Sequence, residues 1–203
     1  MIDEITNGIQ IALLLVCVIV AVIRAVRLRN RAWALLAFFL GSWWMGDIYW
    51  SGCLLFLDDM PQVGWVSDLN WCASYLFLYL LLRELAPPEG RIRLLPWLGP
   101  AFTAGMAIFF IQRGEILNNT VYAALMGLLL FASIRRLADA KGCGARRFLC
   151  VLILVFCLLE YALWTASCFW QEESWAEPYY WFDLMLTACF PLFIPAAGKA
   201  VNA

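Results

Sequence analysis

Four carboxylic acids lie inside apolar stretches, or at their rims, with no basic residue nearby: Asp47, Asp68, Glu160 and Asp183. A carboxylate at bilayer depth costs roughly 3 kcal/mol on insertion scales, so it normally faces a bundle interior or a watery cavity. Aromatic residues crowd the same stretches, among them Trp50, Trp71, Tyr75, Tyr161, Trp164 and Tyr180. Carboxylates beside Trp and Tyr faces suit an organic cation, through charge and cation–π attraction together. These acids and rings form the candidate ligand-binding set. Each also has an ordinary structural alternative. Asp68 and Asp183 could cap or electrostatically favour helix N-termini. Asp47 and Glu160 could be hydrogen-bonded core carboxyls, and the rings could be interfacial anchors.

Catalytic chemistry is thinly represented. The 203 residues contain no histidine, which excludes Ser-His-Asp and Cys-His arrangements and His-ligated zinc. There is no Walker loop, dinucleotide fingerprint or Cys-x-x-Cys motif. A non-enzymatic protein is expected, with no cofactor, no metal and no nucleic-acid partner.

The elements that must position these acids are membrane helices. The chain is 65% hydrophobic with a mean hydropathy of +0.80, well above a soluble domain's apolar share of about half. Seven apolar stretches follow one another, at 8–27, 32–57, 65–85, 92–112, 116–138, 146–170 and 177–198. Each approaches or exceeds the roughly 20 residues that span a hydrocarbon core. An all-α membrane domain over residues 1–203, with the lipid bilayer as its surroundings, is therefore expected. The first stretch has no basic segment ahead of it and no small-residue cleavage site after it, so it reads as a retained helix.

Placing the N-terminus outside puts every basic residue except Arg113 on the cytoplasmic side or at a cytoplasmic helix end. It also puts Asp3, Glu4, Asp58, Asp59, Glu115, Glu172, Glu173 and Glu177 outside with the four candidate acids. Because Lys and Arg in short loops set orientation, an N-out, C-in arrangement in the cell membrane is expected. Cys53 and Cys168 fall at outer helix ends, where a disulfide is conceivable. Asn118-Asn119-Thr120 fits the glycosylation pattern, but it lies so close to the membrane that a chance match is preferred.

The chain also repeats itself. Trp65-Val-Ser-Asp68-Leu69-x-x-x-Ala73-x-Tyr75 is answered by Tyr180-Trp-Phe-Asp183-Leu184-x-x-x-Ala188-x-Phe190. Upstream, Trp50-Ser51 matches Trp164-Thr165, with Trp-to-Asp spacings of 18 and 19 residues. Two parallel three-helix copies, about 8–85 and 116–198, joined by a linker helix at 92–112, account for this. The linker carries Pro96, Gly99, Pro100 and Gly105 and should be kinked or unwound. Pro191 and Pro195 interrupt the last helix.

Gly46-Asp47-Ile-Tyr-Trp50, a loop containing Pro61, and Ser67-Asp68-Leu69-x-Trp71-x-x-x-Tyr75 resemble the seven-helix membrane input modules of bacterial diguanylate cyclases and sensor kinases. Leu159-Glu160-Tyr161 and Tyr180-Trp-Phe-Asp183-Leu resemble their second half. The resemblance implies a sensor that takes a small ligand from outside and passes a signal to a membrane or cytoplasmic partner, here without an output domain. Two alternatives stay open. The three-plus-one-plus-three plan resembles the sugar-transporting SWEET proteins, and Pro61-Gln62 superficially matches the proline-glutamine dipeptide of related families. Gly46-Asp47 followed by Tyr75 resembles the lysoplasmalogenases, but Cys72 stands near the position of their histidine.

Overall fold

The computed structural model describes residues 2–57, 65–86, 94–114, 116–139, 144–170 and 174–202. Asp58, Asp59, Pro61, Gln62, Arg91, Arg93, Glu115, Lys141, Glu172 and Glu173 lie outside the described residues. Among those described, the chain forms α1 (Ile2–Leu28), α2 (Arg31–Leu57), α3 (Trp65–Leu85), α4 (Leu98–Ile111), α5 (Ile116–Asp139), α6 (Gly144–Phe169) and α7 (Pro178–Val201), and no strand. Each expected stretch contains one of these helices.

Four of them, Ile2–Leu28, Ile116–Ala138, Gly144–Phe169 and Pro178–Val201, are long and apolar enough to cross a membrane. The other three differ for visible reasons. In α2 and α3, tryptophans, Asp47, Asp68 and Asn70 dilute the apolar residues. The 14 residues of α4 reach only about 21 Å at helical rise. A 3₁₀ turn, Leu95–Trp97, precedes α4, where Pro96 was expected to disturb the linker.

Helix α1 starts earlier than its apolar run. Asp3 and Glu4 occupy its first turn, where the positive end of the helix dipole favours acids. Its inward face carries Thr6, Gln10, Leu14, Cys17 and Ala21, while Ile5, Ile9, Val16, Ile19, Ile23 and Val26 face outward. Polar residues inside and large apolar ones outside invert the soluble pattern. The two-residue turn to α2 uses Arg29 in the left-handed region (φ 47°). The side chain of Asn30 then accepts the Ala32 N–H at 2.8 Å, capping α2.

Packing joins α1 to α2, α2 to α3, α3 to α5, α5 to α6, α6 to α7, and α7 back to α1. The result is a ring of six helices, with α4 against α5 outside it. Gly99 permits that approach, because a Cβ there would meet Leu130 Cβ at 2.7 Å and the Phe131 backbone nitrogen at 2.9 Å. In lipid, small residues and close packing hold helices together, since no water is gained by burying apolar surface. The ring is filled by interlocked aromatics. Phe39 meets Phe193 at 5.1 Å, and Trp43 meets Phe156 at 5.2 Å and Tyr75 at 5.7 Å, all edge to face. Such pairs add about 0.5–1.5 kcal/mol each beyond their area. At one end of the ring, the buried Arg136 of α5 donates to the carbonyls of Ala86 and Ala132, tying α3 to α5. At the opposite end the ring is open.

Candidate ligand-binding site

That opening is a chamber of about 750 Å³, lined from α1, α2, α3, α5, α6 and α7. Its volume falls within the roughly 300–1,000 Å³ of small-molecule sites. Asp47, Asp68, Glu160 and Asp183 all line it, as do Trp50, Trp71, Tyr75, Trp164 and Tyr180. Asp3 and Glu177 bring the lining to six carboxyls, and no Lys or Arg joins them among the described residues.

Asp47 is 9% exposed. It accepts from Gln10 Nε2 at 2.9 Å and from Trp71 Nε1 at 3.0 Å. Gln10 Oε1 in turn accepts from Thr187 Oγ1 at 2.8 Å. One hydrogen-bonded line therefore runs through α3, α2, α1 and α7. Gly46 makes room for it, since a Cβ there would lie 2.7 Å from Trp71 Nε1 and 2.9 Å from Cδ1. The Gly-Asp pair is thus a steric requirement of the Asp47–Trp71 bond.

Asp68 is held by α5. Asn118 Nδ2 donates to one of its oxygens at 2.6 Å and the Tyr122 hydroxyl to the other at 3.0 Å. The capping alternative for Asp68 gives way to this cross-helix clasp, and Asn118 belongs to the chamber wall. Glu160 is the deepest acid at 2% exposure, with the Tyr75 hydroxyl beside it. Asp183 sits in the second turn of α7, where the Thr6 side chain reaches it. Asp47 and Asp183 both act electrostatically on Glu160. Three carboxyls therefore converge on the chamber floor.

Among the described residues, no group of three His, Cys, Asp or Glu side chains is placed to hold a metal ion. The acids instead surround a volume. Rings fill the gaps, with Trp50 and Trp71 at 6.1 Å and Tyr122 edge-on to Trp164 at 5.0 Å. A unit charge 4 Å from a carboxylate gains about 4 kcal/mol at an effective dielectric of 20, and an aromatic face about 0.5–2 kcal/mol more. The arrangement can therefore attract and orient a cation with apolar substituents. Trp43 also lines the chamber, and its indole N–H is buried without a partner.

One expected member is elsewhere. Tyr161 packs against α4, 5.3 Å from Phe102 and 6.3 Å from Phe110, with its hydroxyl unpartnered. Adjacent helical residues point about 100° apart, so Tyr161 cannot share the direction of Glu160. Trp164, four residues on, does share it. Arg113, the one basic residue left on this side among the described residues, stacks on Phe109 at 4.0 Å and Phe169 at 5.4 Å and does not line the chamber. Cys53 and Cys168 are both free thiols, not a disulfide.

Gln10, Asn118, Tyr122 and Thr187 were not anticipated. Asp3, Asn7 and Gln10 did carry a signal, spaced four and three residues apart along one face of an otherwise apolar helix. Asn118 and Tyr122 are a further pair at i, i+4. No protein-family model, no curated protein and no solved structure matches this chain.

Proposed function

We propose that the chain is a multi-pass protein of the cell membrane that binds a small organic cation in this chamber and acts as a non-catalytic sensor. The observation that carries the reading is the lining itself: six carboxyls and many aromatic faces around one cavity, with no basic residue among the described lining. All seven helices cross or enter the bilayer. The N-terminus lies outside, because Arg24, Arg27, Arg83, Arg135, Arg136, Arg146, Arg147 and Lys199 gather at the opposite helix ends. The repeat pairs Asp47 with Glu160 and Asp68 with Asp183, one of each pair from each three-helix copy.

Helix α7 is the element suited to carry occupancy across the membrane. Its start holds Asp183 in the chamber, and Pro191 and Pro195 lie within it. Each proline removes an intrahelical hydrogen bond, which makes bending easier there. The resemblance to sensor input modules agrees with this use.

The test uses purified protein in detergent and phenyltrimethylammonium as probe, read by quenching of the chamber tryptophans. Saturable binding at least about tenfold tighter than that of the uncharged analogue tert-butylbenzene is expected. Equal affinity for the two would sink the cation reading. Accumulation of labelled probe inside proteoliposomes would make the protein a transporter. A C-terminal fluorescent protein fusion that stays dark would reverse the orientation.

A further inference from the structure

A second cavity, of about 620 Å³, lies at the other end of the ring between the last turns of α1 and α7 and the start of α2. Arg24, Arg27 and Lys199 line it, and no acidic residue does among those described. Basic residues in the last turn of a helix suit its dipole, which accounts for Arg27 and Lys199. It does not account for Arg24, one turn deeper, whose guanidinium lies 4.6 Å from the centre of the Trp33 ring. Trp33 is buried, so this stacking holds the charge in a fixed direction over the cavity. Gly198 leaves the space open, its missing Cβ facing Arg24 Nη1 at 3.3 Å and Trp33 Cζ2 at 3.5 Å.

The apolar surroundings are equally specific. Val20, Ile23, Leu28, Pro195 and Val201 form the apolar part of the wall, with Asn202 beside them. Val16, Ile19 and Ile23 continue from it as an outward stripe along α1. A ligand seated here meets fixed positive charge at its head and a helical apolar track beside it. We propose that this cavity holds the phosphate of an anionic phospholipid headgroup, with an acyl chain lying along α1. Guanidinium groups pair with phosphate by charge-assisted hydrogen bonds, and basic residues at a helix end are the usual seat of such headgroups. The proposal rests on α1 and α7 lying in a bilayer, not on cation binding at the chamber.

The experiment incorporates the full chain into nanodiscs of neutral phosphatidylcholine with a minority of phosphatidylglycerol. Lipid that remains bound after extraction is then counted by native mass spectrometry. Incorporation of the wild-type chain into purely neutral discs tests the membrane reading separately. Wild type should retain phosphatidylglycerol selectively, and Arg24→Gln/Arg27→Gln should lower that retention about tenfold. Arg29→Gln/Arg31→Gln removes the same charge from neighbouring exposed positions outside the cavity and should change retention less than about twofold. Gly198→Leu keeps every charge but fills the cavity, and should match the Arg24/Arg27 variant. Equal losses in both arginine pairs, or full retention in Gly198→Leu, would overturn the site in favour of diffuse attraction. Binding of soluble pyrophosphate as tightly as phosphatidylglycerol would overturn the lipid assignment.

Discussion

The two ends of the ring are opposite in charge and alike in construction. One end gathers six carboxyls around a chamber, and the other gathers Arg24, Arg27 and Lys199 around a smaller cavity. Part of this segregation is local. Asp3 and Asp68 lie in the first turns of α1 and α3, Asp183 in the second turn of α7, and Arg27 and Lys199 in the last turns of α1 and α7, as helix dipoles favour. A minority at each end has no such support. Asp47 and Glu160 sit well inside α2 and α6, each about two and a half turns from the helix end. Arg24 lies one turn short of the end of α1 and leans on Trp33 instead. Dipole-supported charges are stable without a ligand; the unsupported ones are where an occupant would contribute most. Both ends also hold these residues with neutral groups, namely amides, indoles and hydroxyls, so their charge is not cancelled internally.

Removing the unsupported acids should have the largest effect. Asp47→Asn with Glu160→Gln keeps shape but removes two carboxyls able to ionise opposite a bound cation, and should weaken phenyltrimethylammonium binding about 100-fold by tryptophan quenching. Asp68→Asn alone should cost about threefold, because Asn118 and Tyr122 already engage both of its oxygens. If Asp68→Asn proved as damaging as Glu160→Gln, the distinction between supported and unsupported acids would collapse. Lipid retention at the basic end should not respond to either change.

A steric change comes next. In Gly46→Leu the new side chain occupies the place of the Trp71 indole, which a Cβ alone would already meet at 2.7 Å. Trp71 must swing away from Asp47, losing its 3.0 Å bond and its place beside Trp50. Overpacking of this kind costs about 1–3 kcal/mol, measurable as a lower Tm in detergent. Cation affinity should fall about tenfold. An unchanged affinity would mean that Trp71 orients nothing in the chamber.

The sequence announces the helices and the acids, and conceals how they are satisfied. Apolar runs locate α3 and α5 nearly to the residue, because flanking charges and turn residues punctuate them. The start of α1 is missed, since Asp3, Glu4, Thr6 and Asn7 read as a polar tail until their position on the first turns is seen. Asp47, Asp68, Glu160 and Asp183 stand out because ionisable groups are costly in apolar surroundings. Gln10 and Thr187 do not. They are neutral and cheap in any helix, and 177 residues separate them. Only ring closure between α1 and α7 makes them partners. Tyr161 shows the reverse: it is one of the aromatics that crowd the acids in sequence, but it turns away from Glu160 toward α4.

Thr187 provides the finest test of that closure. A carboxylate offers only acceptors, so Gln10 must turn Nε2 toward Asp47, which leaves Oε1 pointing at α7. The Thr187 hydroxyl, buried at 4% exposure, is the donor that makes this orientation stable. Thr187→Val keeps the volume and deletes the donor, leaving Oε1 buried and unpaired at a cost of about 1–2 kcal/mol. Gln10 then gains by rotating Oε1 away in search of another donor, which loosens Nε2 from Asp47. The expected result is a Tm lowered by a few degrees and a cation affinity reduced about threefold, smaller than for Gly46→Leu because Trp71 still holds the other oxygen. Thr187→Ser should restore both quantities, since it returns the hydroxyl without the methyl. Failure of serine to rescue would mean that Thr187 acts by packing and that the line from α7 through Gln10 to Asp47 does not couple the chamber to the helix that leaves it.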